Sequence, residues 1–228
     1  AKWGLPKPVH IRQGWLIPCY MGGALWYAKV RQERPEPSGP LSAKYLALAG
    51  SHKKGAVFGL ELLPPGAADV LLVEGELNAL VLRQCLAPVC GVLSVGDAGN
   101  MPGGPAMPAL ARARRLWALL DQDKAGQQGQ QRLLGAFARA RALSWPWADR
   151  GKFDANDALL AGLDLAGALI PQVGPTEPGA RGLWARYWLD FGPLDSAAAA
   201  VTGSEDNPAD LTDPALRLWL AIYGEYGL

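Results

Sequence analysis

Residues 69–86 read Asp-Val-Leu-Leu-Val-Glu-Gly-Glu-Leu-Asn-Ala-Leu-Val-Leu-Arg-Gln-Cys-Leu, and this stretch decides the fold. Asp69–Val73 is a short run, apolar after its first residue, as expected of a central parallel strand covered on both faces. From Glu76 to Leu86 the period becomes helical, with Leu77, Leu80, Val81 and Gln84 at helical spacing. Between them, Glu74 and Gly75 occupy the strand end. Further along, Val89–Val95 reads as a second strand, followed by a Gly/Pro-rich loop from Gly96 to Pro108. A short helix over Pro108–Arg114 leads into the strand Arg115–Leu120, which ends in Asp121. A helix over Gly126–Ala140 and a strand over Ala142–Trp145 follow. Strands alternating with helices define the α/β class, a Rossmann-like parallel sheet flanked by helices with right-handed crossovers. Ligands of such sheets bind beyond the carboxyl ends of the strands, which is where Glu74 and Asp121 fall.

Towards the N-terminus the pattern differs. Trp15-Leu16-Ile17 and Ala24–Val30 are strand-like, with Met21-Gly22-Gly23 as the turn between them. Pro35–Pro40 is a surface loop, because its prolines remove ladder donors. Pro64-Pro65-Gly66 marks a lobe boundary. Towards the C-terminus, Pro171–Pro178 reads as a linker. Residues 184–191 and 214–226 read as helices, and Ala197–Ala200 as a helical or low-complexity patch. The expected organisation is a small α+β lobe over 1–66, the α/β domain over 67–170 and a helical extension over 171–228.

Half of the 228 residues are hydrophobic and 19% are charged, a globular balance rather than a disordered one. No apolar run approaches the roughly 18 residues of a membrane span, and the first 20 residues lack a signal-peptide layout. Cys19, Cys85 and Cys90 form neither a disulfide framework nor a zinc motif, so they are expected to be small buried hydrophobes in a reducing cytoplasm. Charge is uneven despite a net of +1. Residues 1–60 hold nine Lys/Arg against Glu33 and Glu36, residues 61–110 hold five acids against Arg83, and residues 111–150 hold eight bases against three acids. Basic lobes around an acidic centre suit a phosphodiester partner that must be brought to a metal.

Three motifs carry chemistry. The first is Val73-Glu74-Gly75, a carboxylate held by a rigid sheet beside a glycine that permits close approach; a lone acid there is also what a helix dipole favours. The second is Leu119-Leu120-Asp121-Gln122-Asp123-Lys124-Ala125-Gly126. Two carboxylates one residue apart can enter one cavity, where each raises the other's pKa unless a cation compensates. Oxygen ligands without nearby His or Cys favour Mg²⁺ over zinc. The third is Lys152-Phe153-Asp154-Ala155-Asn156-Asp157, whose lysine and acids could complete the site or bind phosphate. Asn156 or Asp157 could equally cap a helix over Ala158–Ala161.

In this order the motifs resemble the TOPRIM domain of primases, topoisomerases and related nucleases. Lys44-Tyr45-Leu46, Ser51-His52-Lys53-Lys54-Gly55 and Phe58-Gly59-Leu60 resemble the segment preceding TOPRIM in bacterial and phage primases, as do Gly14–Pro18 and the strand ending at Arg31. The resemblance covers roughly residues 12–162. It implies a template-directed nucleotidyltransferase that makes primers on single-stranded DNA from nucleoside triphosphates, as in phage or plasmid replication. It implies Glu74, Asp121 and Asp123 as catalytic and metal-binding acids for Mg²⁺ or Mn²⁺, with Asp157 as a further metal ligand. It implies that Arg31, Lys44, Lys54, Lys124 and Lys152 contact nucleic-acid or nucleotide phosphates. Asn78 departs from it, standing where primases commonly carry Asp. No zinc motif and no Gly-x-x-x-x-Gly-Lys-Ser/Thr loop occurs within this sequence, so no zinc is expected in this chain. The extension over 171–228 could dock a replicative helicase, and no membrane partner is implied. The same acids would also serve a TOPRIM nuclease, or remain in a binding module without turnover. His10 and His52 are isolated and read as surface residues, and most of the nine tryptophans as core.

Overall fold

The computed structural model describes residues 13–39, 41–63, 69–86, 90–147 and 153–173. They fall in the first of two units, Ala1–Gly174 and Pro175–Leu228. The expected helices over 184–191 and 214–226, the Pro64-Pro65-Gly66 loop, His10 and Lys152 lie outside the described residues.

The first sheet is antiparallel, in the order β1 (Gly14–Met21), β2 (Ala24–Gln32), β3 (Tyr45–Ala47). Gly22 and Gly23, at φ 59° and 72°, close the β1–β2 hairpin, in the left-handed region that only glycine enters freely. β3 was not legible in the sequence because three residues carry no period. The helical component of this lobe among the described residues is one 3-10 turn, Leu60–Leu62.

The second sheet is parallel, in the order β5 (Gly91–Ser94), β4 (Asp69–Val73), β6 (Arg115–Leu119), β7 (Ala140–Ala142). Every residue of β4 and β5 is buried, as their apolar stretches lead one to expect, with Asp69 paired to Arg115 at 2.6 Å. α1 (Glu76–Leu86) joins β4 to β5, α2 (Ala106–Arg112) joins β5 to β6, and α3 (Lys124–Ala136) joins β6 to β7. The chain moves to one side of β4 for β5 and to the other side for β6. The strand order therefore reverses between β4 and β6, and a crevice opens at their carboxyl ends.

Several boundaries move. α1 has its expected bounds, yet it buries Asn78, Ala79, Val81, Leu82 and Leu86, while Gln84 is exposed. The strand expected over Ala142–Trp145 lies at Ala140–Ala142, set by its register against Leu116–Ala118. α4 (Ala155–Leu160) begins earlier than expected: Asp154 is its cap, and Asp157 closes a reciprocal capping box with it. Pro171 lies within α5 (Leu165–Val173) instead of opening a linker, and residues 174–178 of that expected stretch lie outside the described residues. Burial of Leu165, Ala166, Leu169 and Val173 on one face of α5 outweighs the backbone bond that the proline forfeits.

One hydrophobic core runs from Ile17, Cys19 and Tyr27 through the parallel strands to Val173. The lobes also share backbone bonds: Phe58 bridges Ser94 on the edge strand β5, at 2.8 and 3.0 Å. All three cysteines are free, with Cys19 and Cys90 buried and Cys85 partly so. Among the described residues no helix is long and apolar enough to cross a membrane.

Candidate catalytic site

Both strand ends that carry the acids are fixed by clamped peptides. The Glu74 carbonyl accepts from Gly96 N at 2.9 Å and from the Ser94 hydroxyl at 2.7 Å. Beyond β6, Leu120 N donates to Gln130 Oε1 at 3.0 Å, while the Leu120 carbonyl accepts from the indole of buried Trp145 at 2.9 Å. Glu74 and Asp121 therefore project from held backbone rather than from mobile loops.

The two acids meet across the crevice, where Asp121 N donates to Glu74 Oε2 at 3.4 Å. Burial pushes the Glu74 carboxyl up to about 7, and the charge of Asp121 pushes in the same direction. Asp123 adds to the rise, against backbone hydrogen bonds from Asp121 and Ala98. Asp123 is the N-cap of α3, with Oδ1 accepting from Gly126 N at 3.0 Å. Gly126 packs so closely that a Cβ there would stand 2.1 Å from the Asp121 carbonyl oxygen. The Asp-x-Asp-x-x-Gly spacing is thus a strand end, a helix cap and a required close approach in one motif. Gly75 differs: a Cβ there would meet nothing nearer than Asn78 Nδ2 at 3.7 Å, so packing within the chain does not demand that glycine.

The acids suit a hard cation in a particular way. Among the described residues no group of three or more His, Cys, Asp or Glu forms a ready-made cage, and one oxygen of Asp123 is committed to its cap. Mg²⁺ commonly takes one or two carboxylates and completes its shell with water and substrate phosphates. A cation would also relieve the repulsion that raises the Glu74 carboxyl. Glu74 and Asp121 could hold it, with the second carboxylate oxygen of Asp123 beside them.

The remaining predicted residues spread around this centre. Arg31 lies on β2 opposite Trp15 and Tyr45. Lys44 is exposed, its ammonium 5.8 Å from the Tyr45 ring centre. Lys54 is exposed in the turn before Gly55, whose N donates to Asn100 Oδ1 at 2.9 Å. That bond docks the turn on the loop after β5. Lys124 is the exposed first residue of α3. The interactions of Asp157 are those of its capping box, with Oδ2 accepting from Asp154 N at 3.2 Å. Asn78, buried, accepts from Asn156 at 2.5 Å and so ties α1 to α4.

The sequence reading missed a buried polar cluster directly behind the crevice. Glu76 Oε1 lies 2.5 Å from Lys29 Nζ and accepts from the Tyr27 hydroxyl at 2.7 Å. Lys29 also donates to the Gly96 carbonyl at 2.8 Å. Lys29 and Glu76 are only 6% and 3% exposed, so each charge depends on the other. Lys29 inside the apolar run Leu25–Val30 was the available signal, but its partner lies far along the chain.

No family model matches the chain, and no curated protein matches it. Solved structures do. The primase fragment of the bacteriophage T7 primase-helicase protein aligns at TM-score 0.51 and 20% identity, covering 69% of this chain and 61% of that one. A DNA primase domain from Pseudomonas aeruginosa aligns at 0.51 and 20%, covering 93% and 68%. The Aquifex aeolicus primase zinc-binding and RNA polymerase domains align at 0.50 and 17%, covering 93% and 51%. The chain thus spans about three fifths of the T7 fragment and half of the Aquifex structure. The architecture is an α/β parallel sheet with helices around it. In fold, the chain is similar to these bacterial and phage primase structures.

Proposed function

We propose that this chain is the catalytic core of a Mg²⁺-dependent DNA primase that joins nucleoside triphosphates into a short primer on single-stranded DNA. The carrying observation is the meeting of Glu74 and Asp121 at the switch point of the parallel sheet, with Asp123 beside them and basic residues on the adjoining sheet. Mg²⁺ bound there would neutralise phosphate charge developing in an in-line displacement. Asp121 and Asp123 would hold the cation. Glu74, its carboxyl poised near neutrality, either joins them or accepts the proton of the attacking hydroxyl. Arg31, Lys44, Lys54, Lys124 and Lys152 position phosphates, a role that supplies affinity without sequence preference. Asp157 is the outlying member of the proposed ligand set, since its capping role competes with metal binding. Lobes bounded near residues 66 and 170 would divide the work, the first holding template and the second the chemistry. Residues 171–228 are the proposed docking region for a replicative helicase, in a cytoplasmic replication machinery of phage or plasmid type.

Incubating the protein with single-stranded template, labelled nucleotides and Mg²⁺ tests the reading. Extension products that vanish with EDTA support it. Shortened template without extension would replace it with a nuclease, and no chemistry at all with an inert binding module.

A further inference from the structure

The exposed aromatic Trp15 is out of keeping with its strand. β1 turns Trp15, Ile17 and Cys19 to one side, and the last two are buried. Trp15 is 54% exposed. Its directly opposite neighbour on β2 is Arg31, whose own neighbour on β3 is Tyr45. Directly paired residues project from the same face, so Trp15, Arg31 and Tyr45 form one row across the sheet. Lys44 extends the row, with its ammonium over the Tyr45 ring.

The face carrying this row is the one turned towards the crevice. Two residues along β2, Lys29 reaches Glu76, and Tyr27 does the same two residues further. Tyr45 feels the same surroundings: burial raises its phenol, Arg31 opposes that through charge and a hydrogen bond, and Glu76 and Asp154 add to the rise. Arg31 Nε is buried and has no hydrogen-bond partner among the described residues. The row is therefore the solvent-open end of the face whose closed end abuts the acid-bearing lobe.

We propose that Trp15, with Arg31, Tyr45 and Lys44, is a stacking platform for a base of single-stranded DNA, with Arg31 and Lys44 on the flanking phosphates. This rests on the primase reading and names a contact within it. An open ring beside two cations, on an edge strand past which a polymer can run, matches the aromatic-plus-basic surfaces that bind single strands without sequence preference. The row is displaced by about 7 Å along β2 from Lys29, at roughly 3.4 Å per residue. That offset suits a strand passing the crevice better than the reacting phosphates within it.

Fluorescence anisotropy with a labelled oligo-dT and with the same oligonucleotide made abasic tests the platform on the full chain. Removing a stacking ring is expected to weaken oligo-dT binding about tenfold in Trp15→Ala, and Trp15→Phe should recover most of the loss. Wild type should bind the abasic strand about tenfold more weakly than oligo-dT, whereas Trp15→Ala should hardly distinguish them. Leu16→Ala, exposed on the opposite face of the same strand, should bind as wild type does. Equal binding of both oligonucleotides by wild type, or unchanged binding by Trp15→Ala, overturns the proposal while leaving primer synthesis to stand or fall by its own assay.

Discussion

The two sheets use their side chains in opposite ways. In the parallel sheet every residue of β4 and β5 is buried, and the proposed chemistry is confined to residues just past the strand ends. In the antiparallel sheet the proposed DNA contact lies on the strands themselves, where one face runs from the buried pair Cys19 and Tyr27 to the open row at Trp15. A sheet covered on both faces can act only at its rim. A sheet with an open end can offer a surface. On the proposed reading, acid chemistry and strand binding fall to different lobes, joined through Lys29 and Glu76.

The largest expected effect comes from cutting that join. Lys29→Met leaves the Glu76 carboxylate buried without its cation, which costs about 3–5 kcal/mol. Adding Glu76→Leu should restore much of the loss, because both charges are then gone. Thermal denaturation of the two variants decides it, and a wild-type melting profile for Lys29→Met alone would show that the pair contributes nothing.

The next effect sharpens the description of the rim. Gly126→Ala pushes a methyl group into the Asp121 carbonyl, and overpacking of this kind costs about 1–3 kcal/mol. Activity should fall further than stability, since the displaced peptide carries Asp121. Equal proportional losses would reduce Gly126 to a packing residue.

A smaller effect separates the two roles of Asp123. Asp123→Ala removes a helix cap and should cost about 1 kcal/mol, whereas Asp123→Asn keeps the cap. Both should abolish Mg²⁺-dependent synthesis. An active, fully stable Asp123→Asn would leave only the cap.

The pH dependence has a definite sign. Burial and the charge of Asp121 raise the folded carboxyl of Glu74 from the ordinary 4.5 to about 7. Its contribution to metal-free stability is therefore complete below about 4.5 and is lost as pH rises through about 7. A bound cation favours the ionised form, so Mg²⁺ should raise the melting temperature more at pH 8 than at pH 5.5. A pH-independent increment would remove Glu74 from the ligand set.

Legibility in the sequence follows the same division. β4 and α1 were read with their observed bounds because a continuous apolar run gives way abruptly to a helical period at Glu74-Gly75. The placement of Glu74 and Asp121 was legible because strand-end acids are local features, whereas the capping role of Asp123 was not read. Lys29 with Glu76 was not, since a contact between elements 47 residues apart leaves no local pattern. Most tryptophans were expected in the core without their being told apart, because exposure depends on what the rest of the fold covers. Trp145 is buried, whereas Trp15 is exposed. α5 was obscured by Pro171, whose cost the burial of four residues offsets.

The central claim is that the acids at the rim perform the chemistry. Primer synthesis by Asp121→Ala beside wild type, in Mg²⁺ and with folding checked by circular dichroism, tests it most directly. The expected result is a folded protein whose rate falls at least about a thousandfold, or roughly 4 kcal/mol in the barrier. A folded Asp121→Ala that makes primers at the wild-type rate would contradict the account.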